Sequence, residues 1–324
     1  MNAEANIDPR ALRSHDFRNF IHTVLLVGGT AVLAGAIAFV TFGYGGIAYA
    51  AIFSAAGIFM LGRASPKMVL SLYKARPLAR HEVPELHDML EQLSANAALP
   101  AVRKLHYVPS KMMNAFAVGS KTDSAVAVTD GLLRTMTLRQ LSGIIAHEVA
   151  HIRSGDLRVM GMADVLNRVT GFMSTLGLIG VPVMLGTGFD FPVLGLLLMI
   201  FAPTIGGLLQ LALSRAREYD ADLDGAALTG DPEGLASALS VLERQRGVVL
   251  EGLVLPGARV PEPSLLRTHP RTENRIARLM SLRRDGSRTL NLPQGRAVPG
   301  PSIIPVVRPP RIHWSKMGIW YSER

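Results

Sequence analysis

His147-Glu148-Val149-Ala150-His151 is the stretch on which the reading of this chain turns, because two imidazoles and a carboxylate on one helical turn suit metal-assisted hydrolysis. Four residues apart, His147 and His151 lie on the same face of a helix, where both reach one ion. Glu148 projects from the neighbouring flank, close enough to hold and deprotonate a water without ligating the metal itself. Leu138 to Ala146 are helix-compatible, and Leu141, Ile144, Ile145 and Val149 give the segment an apolar side. The alternative is a buried helix whose histidines are merely hydrogen-bonded.

Outward from this turn, apolar blocks set the architecture. Charged residues make up only 18% of the 324-residue chain, and the mean hydropathy is +0.26. Phe20 to Phe42 runs 23 residues with no charge and only His22 as an ionisable group, long enough to cross a bilayer core. After Gly43-Tyr44-Gly45-Gly46, the segment Ile47 to Leu61 continues uncharged and suits a return span. Polar and acidic residues precede the first block, which is too long for a signal h-region, so an uncleaved anchor is expected. Arg10, Arg13 and Arg18 stand before this hairpin and Arg63, Lys67, Lys74, Arg76 and Arg80 after it, placing both ends in the cytoplasm. A second apolar region, Val169 to Leu213, splits at Gly186-Thr187-Gly188-Phe189-Asp190 and predicts a second hairpin. Its first half, with Gly171, Gly177, Gly180 and Pro182, also suits a re-entrant or interfacial segment.

Between the two regions, His81 to Leu99 reads as an amphipathic helix stopped by Pro100. Lys104 to Pro109, Asn114 to Val118 and Ala125 to Thr129 read as strands of a small sheet. Asp231 to Arg246 and Arg271 to Leu282 look helical, the former with an aspartate cap and a first-turn proline. The expected fold class is a mainly α membrane protein with two transmembrane hairpins and a cytoplasmic α+β zincin-like domain. Its expected parts are a cytoplasmic segment 1–19, a hairpin 20–62, a first part of the metal-motif domain 63–168, a hairpin 169–213, a second part of that domain 214–284 and a Pro/Arg-rich tail 285–324. The tail shows no periodicity and reads as poorly ordered or peripherally docked.

The chain has no cysteine, which excludes disulfides, a thiol nucleophile and thiolate-bound zinc. The net charge of +9 is partly the membrane-flanking bias, and no basic stripe interleaved with aromatics points to nucleic acid. A catalytic metal needs three protein ligands, so the third must come from elsewhere. Glu218 and Asp222 follow the second hairpin one helical turn apart: one can ligate while the other steadies a histidine, and Asp220 and Asp224 are further candidates. Because His151 and Glu218 must meet, the chain between them crosses the membrane an even number of times. Glu218 lies five residues beyond Leu213, which sets the site on the order of 10 Å from the bilayer edge if the helix continues.

His147-Glu148-x-x-His151 followed by Arg217-Glu218-x-x-Ala221-Asp222 resembles the HtpX group of membrane-bound zinc metalloproteases, distant relatives of the CAAX prenyl endopeptidases. Asn114 to Gly119, Gly155-Asp156 and Thr268-His269-Pro270 with Arg275 extend the resemblance, which covers about residues 10 to 284. It implies one Zn2+ held by His147, His151 and Glu218, with Glu148 as general base and Asp222 as partner of a ligating histidine. It further implies that Asn114, Ala115 and Phe116 hold the substrate backbone by strand addition. His269 becomes a donor near the developing oxyanion, or else a structural or capping histidine.

The function so implied is proteolytic quality control: cleavage of misfolded or damaged membrane proteins, or unfolded polypeptides, at the cytoplasmic face of a bacterial inner membrane. The competing readings are a dedicated processing peptidase of the CAAX type and a non-catalytic zinc-binding membrane adaptor. An intact Glu148 beside a full ligand set argues against the adaptor, since binding zinc does not require that carboxylate.

Overall fold

Helix α1, Pro9–Arg63, reverses direction at Gly43, where φ is 63° and ψ is −150°. Gly46 consequently stands against the carbonyl of Ala38, a pair that a straight helix would hold about 12 Å apart. The computed structural model describes residues 9–63, 66–100, 104–186, 193–252, 272–281, 311–315 and 318–322. The arm before Gly43 packs on α7, Val193–Thr229, with Gly29 against Leu209; the arm after it packs on α6, Asp156–Gly186, with Gly57 against Val165. The α6 and α7 helices run antiparallel: the Ser174 hydroxyl donates to the Met199 carbonyl, and Asn167 donates to Gln210 at 3.4 Å.

Among the described residues, three segments are long and apolar enough to cross a membrane: Thr23–Val40, Phe42–Met60 and a window within Gly195–Thr229. Leu25, Val32, Phe53, Ile179, Phe201 and Leu208 leave their large apolar side chains exposed on these arms. A surface this apolar is stable against lipid and not against water. The molecule is built as a membrane protein.

Above the arms, α2 (Pro66–Leu72) and β1 (Arg76–Pro77) lead into α3 (Pro84–Asn96). Then come β2 (Lys104–Val108), β3 (Ala115–Gly119), β4 (Ser124–Thr129), α4 (Asp130–Thr135) and α5 (Leu138–Ser154). The sheet order is β1-β2-β4-β3, with β2 and β4 parallel and both edge strands antiparallel to their neighbours. Strand β3 is therefore an open edge, and α5 lies beside it. The three longer strands fall within a residue or so of their sequence expectation. Helix α3 is trimmed at both ends, because Pro84 belongs in a first turn and the chain leaves the helix at Ala97.

Helix α5 begins with a capping box. The Thr137 hydroxyl accepts from the Gln140 amide, and the Gln140 side chain accepts from the Thr137 amide. Its apolar face meets α3, β2 and β4 in one core through Leu141, Ile145 and Val149, which face Leu86, Leu90, Leu105 and Val126. Helix α8, Pro232–Gly252, closes that core with Leu235 and Leu239. Asp231 caps α8 by accepting from the Gly234 amide at 3.0 Å, and Arg139 of α5 donates to the same carboxylate. A short helix α9, Thr272–Met280, packs on α8 and α7.

The α7 helix runs from the apolar arm through Glu218 to Thr229, the continuation on which the expected distance of Glu218 from the bilayer edge depended. In the tail, β5 (Arg311–Ser315) and β6 (Gly318–Ser322) pair antiparallel; the sequence reading placed no strand there, although Arg311 to Ser315 alternates polar and apolar residues.

Gly143 marks the closest approach of α5 and α8. A methyl there would stand 2.8 Å from the Leu235 Cα and 2.9 Å from its amide nitrogen. Those are backbone atoms, so the helices themselves must part. In Gly143→Ala the helix-propensity gain of about 1 kcal/mol meets an overpacking cost of about 1–3 kcal/mol. The variant should unfold at a lower temperature than the parent in detergent, whereas an exposed helical glycine would move the other way.

Candidate metal centre

Helix α5 presents His147 and His151 on one face, and the antiparallel return through α6 and α7 brings Glu218 to meet them. The two imidazole Nε2 atoms stand 3.2 Å apart, and the Glu218 carboxylate oxygens lie 3.4 Å from His147 Nε2 and 3.6 Å from His151 Nε2. All three residues are buried. A tetrahedral ion with ligands at about 2.0–2.1 Å spaces its donors about 3.3–3.4 Å apart, which is the separation found.

The outer ring nitrogens explain why a cation belongs here. His151 Nδ1 faces Asp156 at 2.9 Å, and His147 Nδ1 faces Asp222 at 3.1 Å, the latter contact less well aligned as a hydrogen bond. Each carboxylate holds a proton on Nδ1, which leaves both Nε2 atoms as bare electron pairs beside a carboxylate. Three donors directed at one another repel unless a positive charge, a proton or a metal ion, lies between them. Four buried carboxylates, Glu148, Asp156, Glu218 and Asp222, stand around the trio against two buried guanidinium groups, Arg217 and Arg275.

Arg275, on α9, grips Asp222 with two hydrogen bonds, from Nε at 2.7 Å and from Nη2 at 2.6 Å, and reaches Glu218 at 3.6 Å. Burial pushes the Asp222 carboxyl up, but the hydrogen bonds and charges of Arg275 and His147 outweigh it and hold the group below the usual range. Asp156 is likewise held low against its burial, by His151 and Arg217. Burial pushes the Glu148 carboxyl upward, only partly opposed by the two histidines.

Glu148 does not touch the other three carboxylates. Its Oε2 accepts from the backbone amide of Ala117 on β3 at 2.9 Å. By the alternation of an antiparallel pair, Ala115 and Gly119 turn their backbone groups to the same open edge, and those of Phe116 and Val118 bond to β4. The Phe116 ring lies on the far face of the sheet against Tyr73, with centroids 4.8 Å apart. Asn114 is fixed by Thr129, whose hydroxyl accepts from the Asn114 amide at 2.9 Å and donates to its carbonyl at 2.8 Å; its side-chain amide nitrogen is buried without a hydrogen bond. Beyond Gly119 a cleft of about 260 Å³ continues past His151, bordered by Lys121, Thr122, Leu157 and Arg158.

The structure thus brings His147, Glu148, His151, Glu218 and Asp222 together beside β3, where Ala115 faces the open edge while the backbone groups of Asn114 and Phe116 are taken by Thr129 and β4. His269 lies outside the described residues. Asp220 and Asp224 take no part in the trio, and Asp224 comes within 4.0 Å of Arg153. Sequence reasoning gave Asp156 no role, although an acid just past the glycine that ends the motif helix was the available signal. No pattern in the sequence pointed to Ala117, whose contribution is a backbone amide.

Buried imidazoles and a glutamate set to hold an ion beside an open strand edge define the class of metal-dependent peptidases. The family model of Peptidase family M48 matches residues 80–283. A protease HtpX homologue from Methylibium petroleiphilum is 34% identical over 289 residues, covering 82% of this chain and 98% of that protein. One from Persephonella marina is 36% identical over 289 residues, covering 82% and 99%. The crystal structure of S. mikatae Ste24p superposes with a TM-score of 0.53 at 19% identity, covering 83% of this chain and 66% of that one. The chain belongs to peptidase family M48, in its HtpX group, and is a metalloprotease.

Removing the charge that orients His147 should loosen the ion. Asp222→Asn keeps the shape but leaves Arg275 without its counter-charge, and the metal affinity should fall about 10–100-fold. Competition against a chelator of known affinity reads this directly.

Proposed function

We propose that this protein is a zinc endopeptidase working at the cytoplasmic face of a bacterial inner membrane, where it removes misfolded or damaged membrane proteins. The observation that carries the proposal is the contact between Glu148 and the Ala117 amide, because it sets a carboxylate between the ligand trio and an open strand edge. A peptide laid along that edge passes directly over the carboxylate.

In this reading His147, His151 and Glu218 hold one Zn2+. Bound there, zinc supplies a lowered water pKa and polarisation of the scissile carbonyl. Glu148 takes a proton from the attacking water and delivers it to the departing amine. Asp222 and Asp156 hold the two imidazoles in the tautomer that keeps Nε2 free. Ala115 and Gly119 offer the substrate backbone its partners, Asn114 aligns the start of the strand, and His269 donates toward the developing oxyanion.

The membrane assignment rests on the arms. Two hairpins, 20–62 and 169–213, return the chain to the same side, and the basic residues at their ends keep that side cytoplasmic. The protease is assembled from 63–168 and 214–284. A site this close to the bilayer favours chains that emerge from the membrane or lie unfolded on its surface. The zinc donors are two imidazoles and one carboxylate, a set common to catalytic zinc sites.

The test pairs the parent with Glu148→Gln, both purified in detergent. Each should carry one zinc, and cleavage of an unfolded protein should fall about 10²–10⁴-fold in the variant. Chelation should silence the parent and zinc should restore it. Equal cleavage by the two proteins would remove Glu148 from the mechanism, and a parent that holds no zinc would remove the metal.

A further inference from the structure

Arg217 stands beside the ligand Glu218 on α7 but points elsewhere. It is buried, with 3% of its surface exposed, at the place where three helices meet. One arm of its guanidinium, Nη1, donates to Asp156, and the other, Nη2, donates to the Thr23 hydroxyl. Asp156 uses its second oxygen for His151 Nδ1 at 2.9 Å. Thr23 opens the first of the membrane-crossing segments. An unbroken chain of polar contacts therefore runs from a metal-facing imidazole to a membrane arm: His151, Asp156, Arg217, Thr23.

The local backbone is shaped to build this chain. Gly155 ends α5 in the left-handed region, with φ 76° and ψ 19°, and its amide returns to the carbonyls of His151 and Ile152. That turn sends the next residue, Asp156, back over the His151 ring as the first residue of α6. A residue with a Cβ adopts that conformation at a cost of about 1–2 kcal/mol. Arg217 then closes the gap to α1, and its planar fork serves two acceptors at once, which a lysine ammonium on a flexible stem does with less fixed geometry.

We infer that Arg217 is a positioning residue, and that Thr23 anchors it, so that the first membrane arm helps fix His151 against the metal. The arm reaches the site through the Thr23 hydroxyl. Loss of that hydroxyl removes one acceptor from the Arg217 fork, which loosens Asp156 and lets the His151 ring turn. The effect falls on how long the ion stays, ahead of any effect on the fold. The inference rests on the reading of the trio as a zinc site.

Thr23→Val and Thr23→Ser separate this role from packing. Valine keeps the shape and loses the hydroxyl; serine keeps the hydroxyl and loses a methyl. Zinc release from the full-length protein is followed by transfer to a colorimetric chelator in excess, and thermal unfolding of the metal-stripped proteins monitors the fold. Thr23→Val should release zinc roughly 3–10-fold faster than the parent, the range given by loss of one hydrogen bond. Thr23→Ser should release it at the parent rate, and Arg217→Lys should match or exceed the valine variant. All three metal-stripped proteins should unfold close to the parent temperature.

Zinc release from Thr23→Val at the parent rate, or faster release from Thr23→Ser than from Thr23→Val, overturns the inference and leaves Thr23 a packing residue. A parent that binds no zinc overturns the zinc reading and this inference with it. A parent that holds zinc beside an unaffected valine variant overturns the inference alone.

Discussion

Two imidazole electron pairs and a carboxylate facing one another within hydrogen-bond distance are unstable without a cation, and much of the architecture exists to keep them there. One helix supplies the imidazoles and another the carboxylate, the two being separated in sequence by both arms of α6 and α7. Each donor has its own restraint. Asp222 and Arg275 hold one ring, Asp156 and Arg217 hold the other, and the core beneath α5 holds the turn that carries both. Buried ionic groups of this kind contribute little net stability. Their value here is orientation, because an ion site tolerates only small errors in donor position.

Much of this could be read from residue order. The spacing of His147 and His151 requires a helix, and the capping box from Thr137 to Gln140 tells where that helix starts. The strands at 104–108, 115–119 and 124–129 announce themselves by short β-branched and aromatic runs. Glu218 and Asp222 stand one turn apart, so both were on the table as ligand and partner. Choosing between them needs the distances, since either carboxylate satisfies the spacing.

What the sequence withheld has a common cause. Ala117 acts through its amide, and a backbone group leaves no mark on side-chain pattern. Arg217 entered only as the neighbour of Glu218, and positive charge just past an apolar span usually faces headgroups. Only the packing of α6 and α1 against α7 shows that its charge is turned inward, onto Asp156 and Thr23. The first of the paired strands at the tail does alternate, Arg311-Ile312-His313-Trp314-Ser315, but it is only five residues long and follows a stretch rich in proline and arginine, which hid it.

Helix α7 has a consequence of its own. It begins in the apolar arm at Val193 and runs on to Thr229, with Pro203 inside it, so Glu218 and Asp222 stand on the same helix as a candidate membrane span. The histidines sit on α5, a separate helix that packs against it. Cutting away the apolar arm to make a soluble fragment would therefore sever the helix that delivers Glu218 to them.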